Sequence, residues 1–254
     1  MNTFFNLKNT DKVSLSQIVR VSSETWVHEN GFCANCLCGL NKFPNNKPVA
    51  DFFCPECGEQ FELKSKKNKF GNKITDGAYE SMVSRINSSD NPNFFFMSYN
   101  LVEMTVNDLI LIPKHIFEIN LIERRKPLNS TAKRAGWVGC NILFNMIPEY
   151  TKVYYIKSGS VMSRNEINFK WNQLTFFKSQ DLRDSKGWLL DVILCIEKLG
   201  RKEFNLNDIY SFESWLKNRH ERNNNIRAKI RQQLQVLRDR QYLEFTSRGL
   251  YKVL

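Results

Sequence analysis

A mixed α/β domain followed by a smaller domain of three helices and a hairpin is the fold class that the sequence predicts. Three observations predict it. Short apolar runs of strand length alternate with stretches of helical periodicity as far as Phe177. Two C-x-x-C pairs, Cys33/Cys36 and Cys54/Cys57, stand early in the chain. Beyond them the texture changes to three amphipathic helices and an alternating pair of strands. The polar, apolar-poor stretch 178–187 separates the two textures, so the expected domains are 1–181 and 182–254.

Taken in order, residues 10–30 predict a helix with Val13, Ile18, Val21 and Trp26 as its apolar stripe. Phe32 to Leu40 reads as a cysteine-bearing knuckle and loop. Asn45-Asn46-Lys47-Pro48 is a turn that launches a strand through Asp51 and Phe52-Phe53. Phe61 to Lys64 is the returning strand, and the basic run from Lys64 to Lys69 leaves it. Thr75 to Ile86 predicts a helix capped by Thr75 or Asp76, with Ala78, Met82 and Ile86 at helical spacing. Asn93 to Tyr99 is almost wholly apolar between polar neighbours, as a buried central strand requires. Val106 to Ile112, ended by Pro113, reads as its neighbour. Lys152 to Ile156 is a further strand, and Glu166 to Phe177 a helix with an aromatic face. In the second domain, helices are expected at Trp188–Leu199, Asn205–Leu216 and Asn225–Arg240. A hairpin follows, Tyr242–Phe245 and Leu250–Leu254 about a Ser247-Arg248-Gly249 turn. Three helices and a hairpin in that order make a winged helix.

The formal net charge of +11 and a pI near 9.3 favour a polyanionic partner, nucleic acid above all. The first residues carry no basic segment followed by an apolar core, so no secretory signal is expected. No stretch approaches the roughly 20 apolar residues that cross a bilayer. A cytoplasmic protein without membrane contact is therefore expected. In that compartment paired cysteines serve metal more often than disulfides.

The two cysteine pairs are separated by the 17 residues 37–53, within the spacing of a tetrahedral zinc site. Cys33, Cys36, Cys54 and Cys57 are the expected ligands, and four thiolates leave no open coordination position, so the zinc would be structural. Cys38 could replace Cys36 as a ligand. Cys140 and Cys195 lie in apolar surroundings and read as core. The second pair forms the tip between the Asp51 strand and the Glu62 strand, so zinc would clamp that hairpin.

Glu62 and Lys64 are two apart on a strand and share one face, with Phe61 and Leu63 on the other. Asp51 precedes them on the partner strand. Such an acid pattern also describes a solvated hairpin edge. As a site, Asp51 and Glu62 would offer carboxylates to magnesium, which prefers hard oxygen donors. Lys64 would orient a nucleophilic water and stabilise negative charge at a phosphodiester.

Pro48-Val49-Ala50-Asp51 with Glu62-Leu63-Lys64 resembles the PD-(D/E)XK nuclease signature. With Asp76-Gly77-Ala78-Tyr79, Asn91-Pro92-Asn93, Arg134-Ala135-Gly136-Trp137-Val138-Gly139 and Ile230-Arg231-Gln232-Gln233, the chain resembles the methyl-directed type II restriction endonucleases along nearly its full length. That resemblance implies a bacterial, magnesium-dependent endonuclease, expected as a monomer, that cuts duplex DNA at GATC only when the adenine is N6-methylated. It implies a zinc-stabilised catalytic domain and a winged helix that reads the same methylated site. It also implies Asp51, Glu62 and Lys64 as catalytic residues, with Asp51 and Glu62 on the magnesium and the four cysteines on the zinc. The first 30 residues and the Leu37–Leu40 loop diverge from the pattern.

From Arg219 onward nine Lys or Arg face three acids, a local net charge of +6. Arg227, Lys229, Arg231, Gln232, Gln233 and Gln235 fall near the start of the third helix, where a winged helix meets the major groove. Arg and Gln suit bidentate base contacts, and outer cations such as Arg248 suit phosphates. In the first domain Lys133, Arg134 and Trp137 share a glycine-containing loop. Trp137 either packs on a base or anchors the loop to the core. Two rivals remain: a zinc-containing DNA-binding regulator whose acids are not catalytic, and a nuclease of the same fold with another sequence or methylation preference.

Overall fold

A computed structural model describes residues 1–7, 14–44, 50–88, 91–179 and 185–254. The predicted Asn45–Pro48 turn, Val13 and the expected 181/182 boundary lie outside the described residues. The chain forms two compact units, Met1–Phe144 with Thr151–Thr175, and Asn145–Tyr150 with Phe176–Leu254. The short segment belongs to the second unit for a local reason. The Glu149 and Tyr150 N–H groups donate to the Glu197 carboxylate at 2.8 and 2.7 Å, and Tyr150 packs edge-on against Tyr242.

The first unit opens with α1 (Leu15–Asn30) and continues through β1 (Asn41–Lys42), β2 (Phe52–Phe53), β3 (Gln60–Lys67), β4 (Ile74–Ala78), α2 (Tyr79–Ile86), β5 (Asn93–Asn100) and β6 (Thr105–Ile112). It then adds β7 (Ile122–Arg124), β8 (Gly139–Ile142), β9 (Val153–Lys157), β10 (Ser160–Val161) and α3 (Arg164–Gln173). Among the described residues, the main sheet runs in the order β1-β2-β3-β5-β6-β9-β10. Only β3 and β5 run parallel in it, with Glu62 opposite Phe94 and Lys64 opposite Phe96. The parallel step exists because β4 and α2 intervene as the crossover. β5 is buried on both faces, which is what its unbroken Phe94-Phe95-Phe96-Met97 run requires. Phe95 touches Phe61 at 5.2 Å and Tyr155 at 5.3 Å between ring centroids. Each such buried ring contributes about 2–3 kcal/mol against an exposed one.

The stretch 75–86 differs from the single helix expected. Residues 74–78 are strand, and the helix starts only at Tyr79. Ile74 and Thr75 are β-branched, and the segment finds a partner far along the chain in β8, with Asp76 opposite Cys140. With β7 these strands form a second sheet, ordered β4-β8-β7. In α1 the buried residues are Val19, Ser22, Ser23, Trp26 and Val27; Trp26 faces the core as expected, whereas Val21 is exposed and Val19 and Ser22 are buried beside the expected Ile18 and Val21. The helix expected at 166–177 stops at Gln173, where the Thr175 hydroxyl donates to the Asn172 carbonyl and competes with the ladder. Of its aromatics, Trp171 and Phe177 are buried and Phe169 is 65% exposed.

The second unit carries α4 (Lys186–Lys198), β11 (Glu203–Asn205), α5 (Leu206–Tyr210), α6 (Glu213–Arg219), α7 (Ile226–Asp239), β12 (Leu243–Ser247) and β13 (Leu250–Val253). The expected second helix is two short ones. The Ser211 hydroxyl donates to the Asp208 carbonyl at the break. Asn205 and Asp208 make a reciprocal capping box that starts α5. β11 joins the hairpin in the order β11-β13-β12, completing a winged helix around buried Leu216, Ile230, Leu234 and Leu237. Among the described residues no helix is long and apolar enough to cross a membrane.

Candidate active site

The cysteine pairs converge first. Cys33 and Cys54 each open a tight turn, closed by Leu37 N–H to Cys33 O at 2.9 Å and Gly58 N–H to Cys54 O at 3.0 Å. Both turns end in the left-handed region, Leu37 at φ 67° and Gly58 at φ 72°. The second position has the glycine that this conformation favours and the first does not. The four sulfurs lie within 4.8 Å of one another, with Cys33–Cys57 at 3.5, Cys36–Cys54 at 3.3 and Cys36–Cys57 at 3.7 Å. Sulfurs at tetrahedral corners about 2.3 Å from zinc stand about 3.8 Å apart, so this cluster could hold zinc. Cys38 lies outside the cluster, its thiol turned to the Cys36 carbonyl at 3.9 Å. Cys140 and Cys195 are fully buried.

The tip Cys54–Glu59 joins β2 to β3, with Phe52 opposite Phe61 and Phe53 opposite Gln60. The cluster therefore sits at one end of the hairpin that carries the acids. Asp51 N–H donates to Phe61 O at 3.0 Å, and the Asp51 Oδ2 accepts the Leu63 N–H at 2.7 Å. Its carboxylate thus lies against the backbone between Glu62 and Lys64. Lys64 Nζ is 2.6 Å from Glu62 Oε1, and Glu62 Oε2 is paired with the Arg85 guanidinium on α2.

Burial pushes the Asp51 carboxyl above the usual range, Leu63 N–H opposes that, and Glu24 of α1 raises it further against Lys64 and Arg20. Burial works against the Lys64 charge too. The carboxylates of Glu62 and Asp76 more than offset it and hold its pKa above the usual value.

Asp76, Arg85 and Glu24 are the groups that sequence reasoning missed here. Asp76, read there as a helix cap, pairs instead with Lys64. The Asp76-Gly77-Ala78-Tyr79 run carried the family resemblance without giving Asp76 a role, and the alternating pattern Ile74-x-Asp76-x-Ala78 was too short to outweigh the helical spacing beside it. Nothing local could have announced Arg85 or Glu24, whose place depends on how two helices pack.

The expected DNA-contacting residues lie in both units. Lys133 and Arg134 are exposed between β7 and β8. The Arg134 guanidinium stacks 4.6 Å from the Trp137 ring centre. The outer edge of that indole rests on Gly139, where a Cβ would come within 2.8 Å of the ring. Trp137 is thus half-buried, with one edge anchored and a cation across it. On α7, Arg227, Arg231, Gln232 and Gln235 are exposed and Lys229 is half-buried. Arg227 pairs with Glu213 at 2.8 Å, and Arg231 donates to the Tyr210 hydroxyl at 2.7 Å. Arg248 is exposed at the hairpin turn. Gln233 corrects the expectation of a base contact. It is fully buried, facing the core beside Leu234, with neither amide atom hydrogen-bonded.

Residues 1–180 match the family model described as DpnI, Dam-replacing family. The chain belongs to the Dam-replacing family. Residues 184–253 match the Dam-replacing HTH domain, so the winged helix of the second unit is the family's DNA-binding domain. Membership in the Dam-replacing family places the chain among DpnI-type restriction endonucleases, with DNA as its partner. The acids and the cysteine cluster lie inside the first match, and α7 with its exposed Arg and Gln lies inside the second.

Proposed function

We propose that this chain is a magnesium-dependent type II endonuclease that hydrolyses duplex DNA at GATC when the adenine carries an N6-methyl group. The observation that carries the reading is the convergence of Asp51, Glu62 and Lys64 on one end of the β2–β3 hairpin, in a chain of this family. The donor set fits a hard divalent ion, since Asp51 and Glu62 are carboxylates within reach of the same strand segment. Magnesium on them would lower the pKa of a bound water and neutralise charge developing on the phosphoryl oxygens. The protein's own part is positional. Leu63 N–H fixes the Asp51 carboxylate, Arg85 holds Glu62, and Lys64 presents an ammonium to the attacking water and to the negative charge that builds on phosphate. The zinc cluster stabilises the hairpin carrying these groups. In the DNA-reading part, Lys133, Arg134 and Trp137 contact the target in the first unit. Arg227, Lys229, Arg231, Gln232 and Gln235 read it from α7, and Arg248 meets phosphate.

The reading that the acids are a structural ion-pair network finds support in Glu62, whose two oxygens both meet cations. One experiment separates the two: plasmid carrying N6-methylated GATC and unmethylated plasmid are each incubated with magnesium or with chelator. Cutting of the methylated plasmid alone, and only with magnesium, is the expected result. Cutting of neither leaves a DNA-binding regulator, and sequencing the ends of any product exposes a different site preference.

A further inference from the structure

Lys64 is held from two sides. One carboxylate, Glu62, belongs to its own strand, and the other, Asp76, comes from β4 in the second sheet. The Asp76 side chain is 9% exposed and that of Lys64 20%, so each charge would be costly without the other. Asp76 Oδ1 also accepts the N–H of Gly77 at 2.7 Å, which sets the carboxylate's direction. Behind it, β4 is pinned to β8, with Asp76 opposite Cys140 and the Tyr79 N–H donating to Val138 O. β8 is the strand that emerges from the Trp137 loop.

Glu62 cannot anchor the lysine by itself. Its Oε1 faces Lys64 and its Oε2 faces Arg85, so any cation it takes up shares an oxygen with one of them. Among the described residues, Asp76 pairs with no cation besides Lys64. We propose that Asp76 is a positioning residue that holds the Lys64 ammonium at the reacting phosphate while Glu62 is engaged elsewhere. The inference deepens the endonuclease reading and rests on it. It assigns to the second sheet a share in the chemistry, since the strand that leaves the DNA-contacting loop also pairs with the strand that fixes the lysine.

Asp76→Asn and Asp76→Glu test it, Asn keeping the acceptor for Gly77 and Glu keeping the charge. Single-turnover cleavage of pre-bound methylated duplex should slow by about 100-fold in Asp76→Asn, because a small displacement of a reacting group costs about that much. Affinity for the methylated duplex should stay within about twofold, and Asp76→Glu should recover about tenfold of the rate. Lys64→Met with Asp76→Asn should cut no more slowly than Lys64→Met alone. Cleavage by Asp76→Asn at nearly the wild-type rate would overturn the proposal. So would full recovery of its rate at high magnesium, which would make Asp76 a metal ligand.

A second readout needs no cleavage: the unfolding midpoints of wild type, both single variants and the double variant. Asp76→Asn should destabilise the wild type and leave Lys64→Met little changed. Additive effects would overturn the contact itself. If the wild type cuts no plasmid, the endonuclease reading fails while this cycle still decides whether Asp76 fixes Lys64.

Discussion

Asp51 shows what a single residue of this site costs the fold. It is a carboxylate pushed up by burial and by Glu24, held by one backbone N–H and only partly relieved by Lys64 and Arg20. Groups kept in such surroundings lower stability and persist where they are used. Replacing it by Asn keeps an oxygen for Leu63 N–H and removes the charge. Asp51→Asn should therefore abolish cleavage, keep affinity for methylated DNA, and raise the thermal midpoint of the metal-free protein. Retained cutting would refute the proposed metal-ligand role, and a lowered midpoint would refute the account of its cost. The sign follows from burial: the folded state disfavours the charged form, so removing the charge relieves it across neutral pH. Gln233 makes the opposite case, a polar residue whose type suggested a base contact but whose position on α7 turns it into the core.

At the scale of elements, the cysteine turns hold more than the hairpin. The loop before β1 is also tied to β9 and α3: Tyr155 Oη donates to Phe32 O at 2.8 Å, Arg164 to Leu37 O at 2.7 Å, and Asn168 to Ala34 O and Asn35 O at 2.8 and 2.9 Å. A zinc ion in the cluster would fasten three parts of the first unit together. Metal analysis should find about one zinc per chain, and Cys54→Ser should lose it at a cost of several kcal/mol. Loss of helical signal from α3 should accompany the loss of metal. A stable, zinc-free Cys54→Ser protein with α3 intact would remove the clamp from the account. The second sheet acts similarly without metal. Its strands are short, and β4 is held by pairing with β8, more than 60 residues further along the chain.

For the molecule as a whole, +6 of the net charge of +11 falls from Arg219 onward. The positive run from Arg219 onward lies within the matched HTH domain, with Arg227, Lys229, Arg231 and Arg238 on α7 and Arg248 at the hairpin turn. Side chains that read bases and side chains that meet phosphate should separate in salt titrations. Gln232→Ala is expected to relax discrimination by about 1–3 kcal/mol at one position and leave the salt slope alone. Arg248→Ala should weaken binding evenly on all duplexes and reduce the slope of log affinity against log salt by about 1. Equal effects of both variants on specific and nonspecific duplex would refute the assignment of α7 to base reading.

Much of this was legible in residue order alone. The spacing of the cysteine pairs, the apolar run of β5, the alternation of Glu62 and Lys64, and three helices before a hairpin are all local patterns. Each is set by neighbours within a turn, a strand or a knuckle, and such patterns survive without knowledge of the rest of the chain. The family resemblance ran along the same segments. What tertiary structure alone decided was the company that Lys64 keeps. Asp76 meets it because β4 pairs with β8, and Arg85 meets Glu62 because α2 packs against β4, β7 and β8 of the second sheet. Glu24 bears on Asp51 because α1 lies alongside. Those arrangements join residues that no short window contains, and pairing and packing over long sequence separations outweighed the helical spacing that residues 75–86 display by themselves.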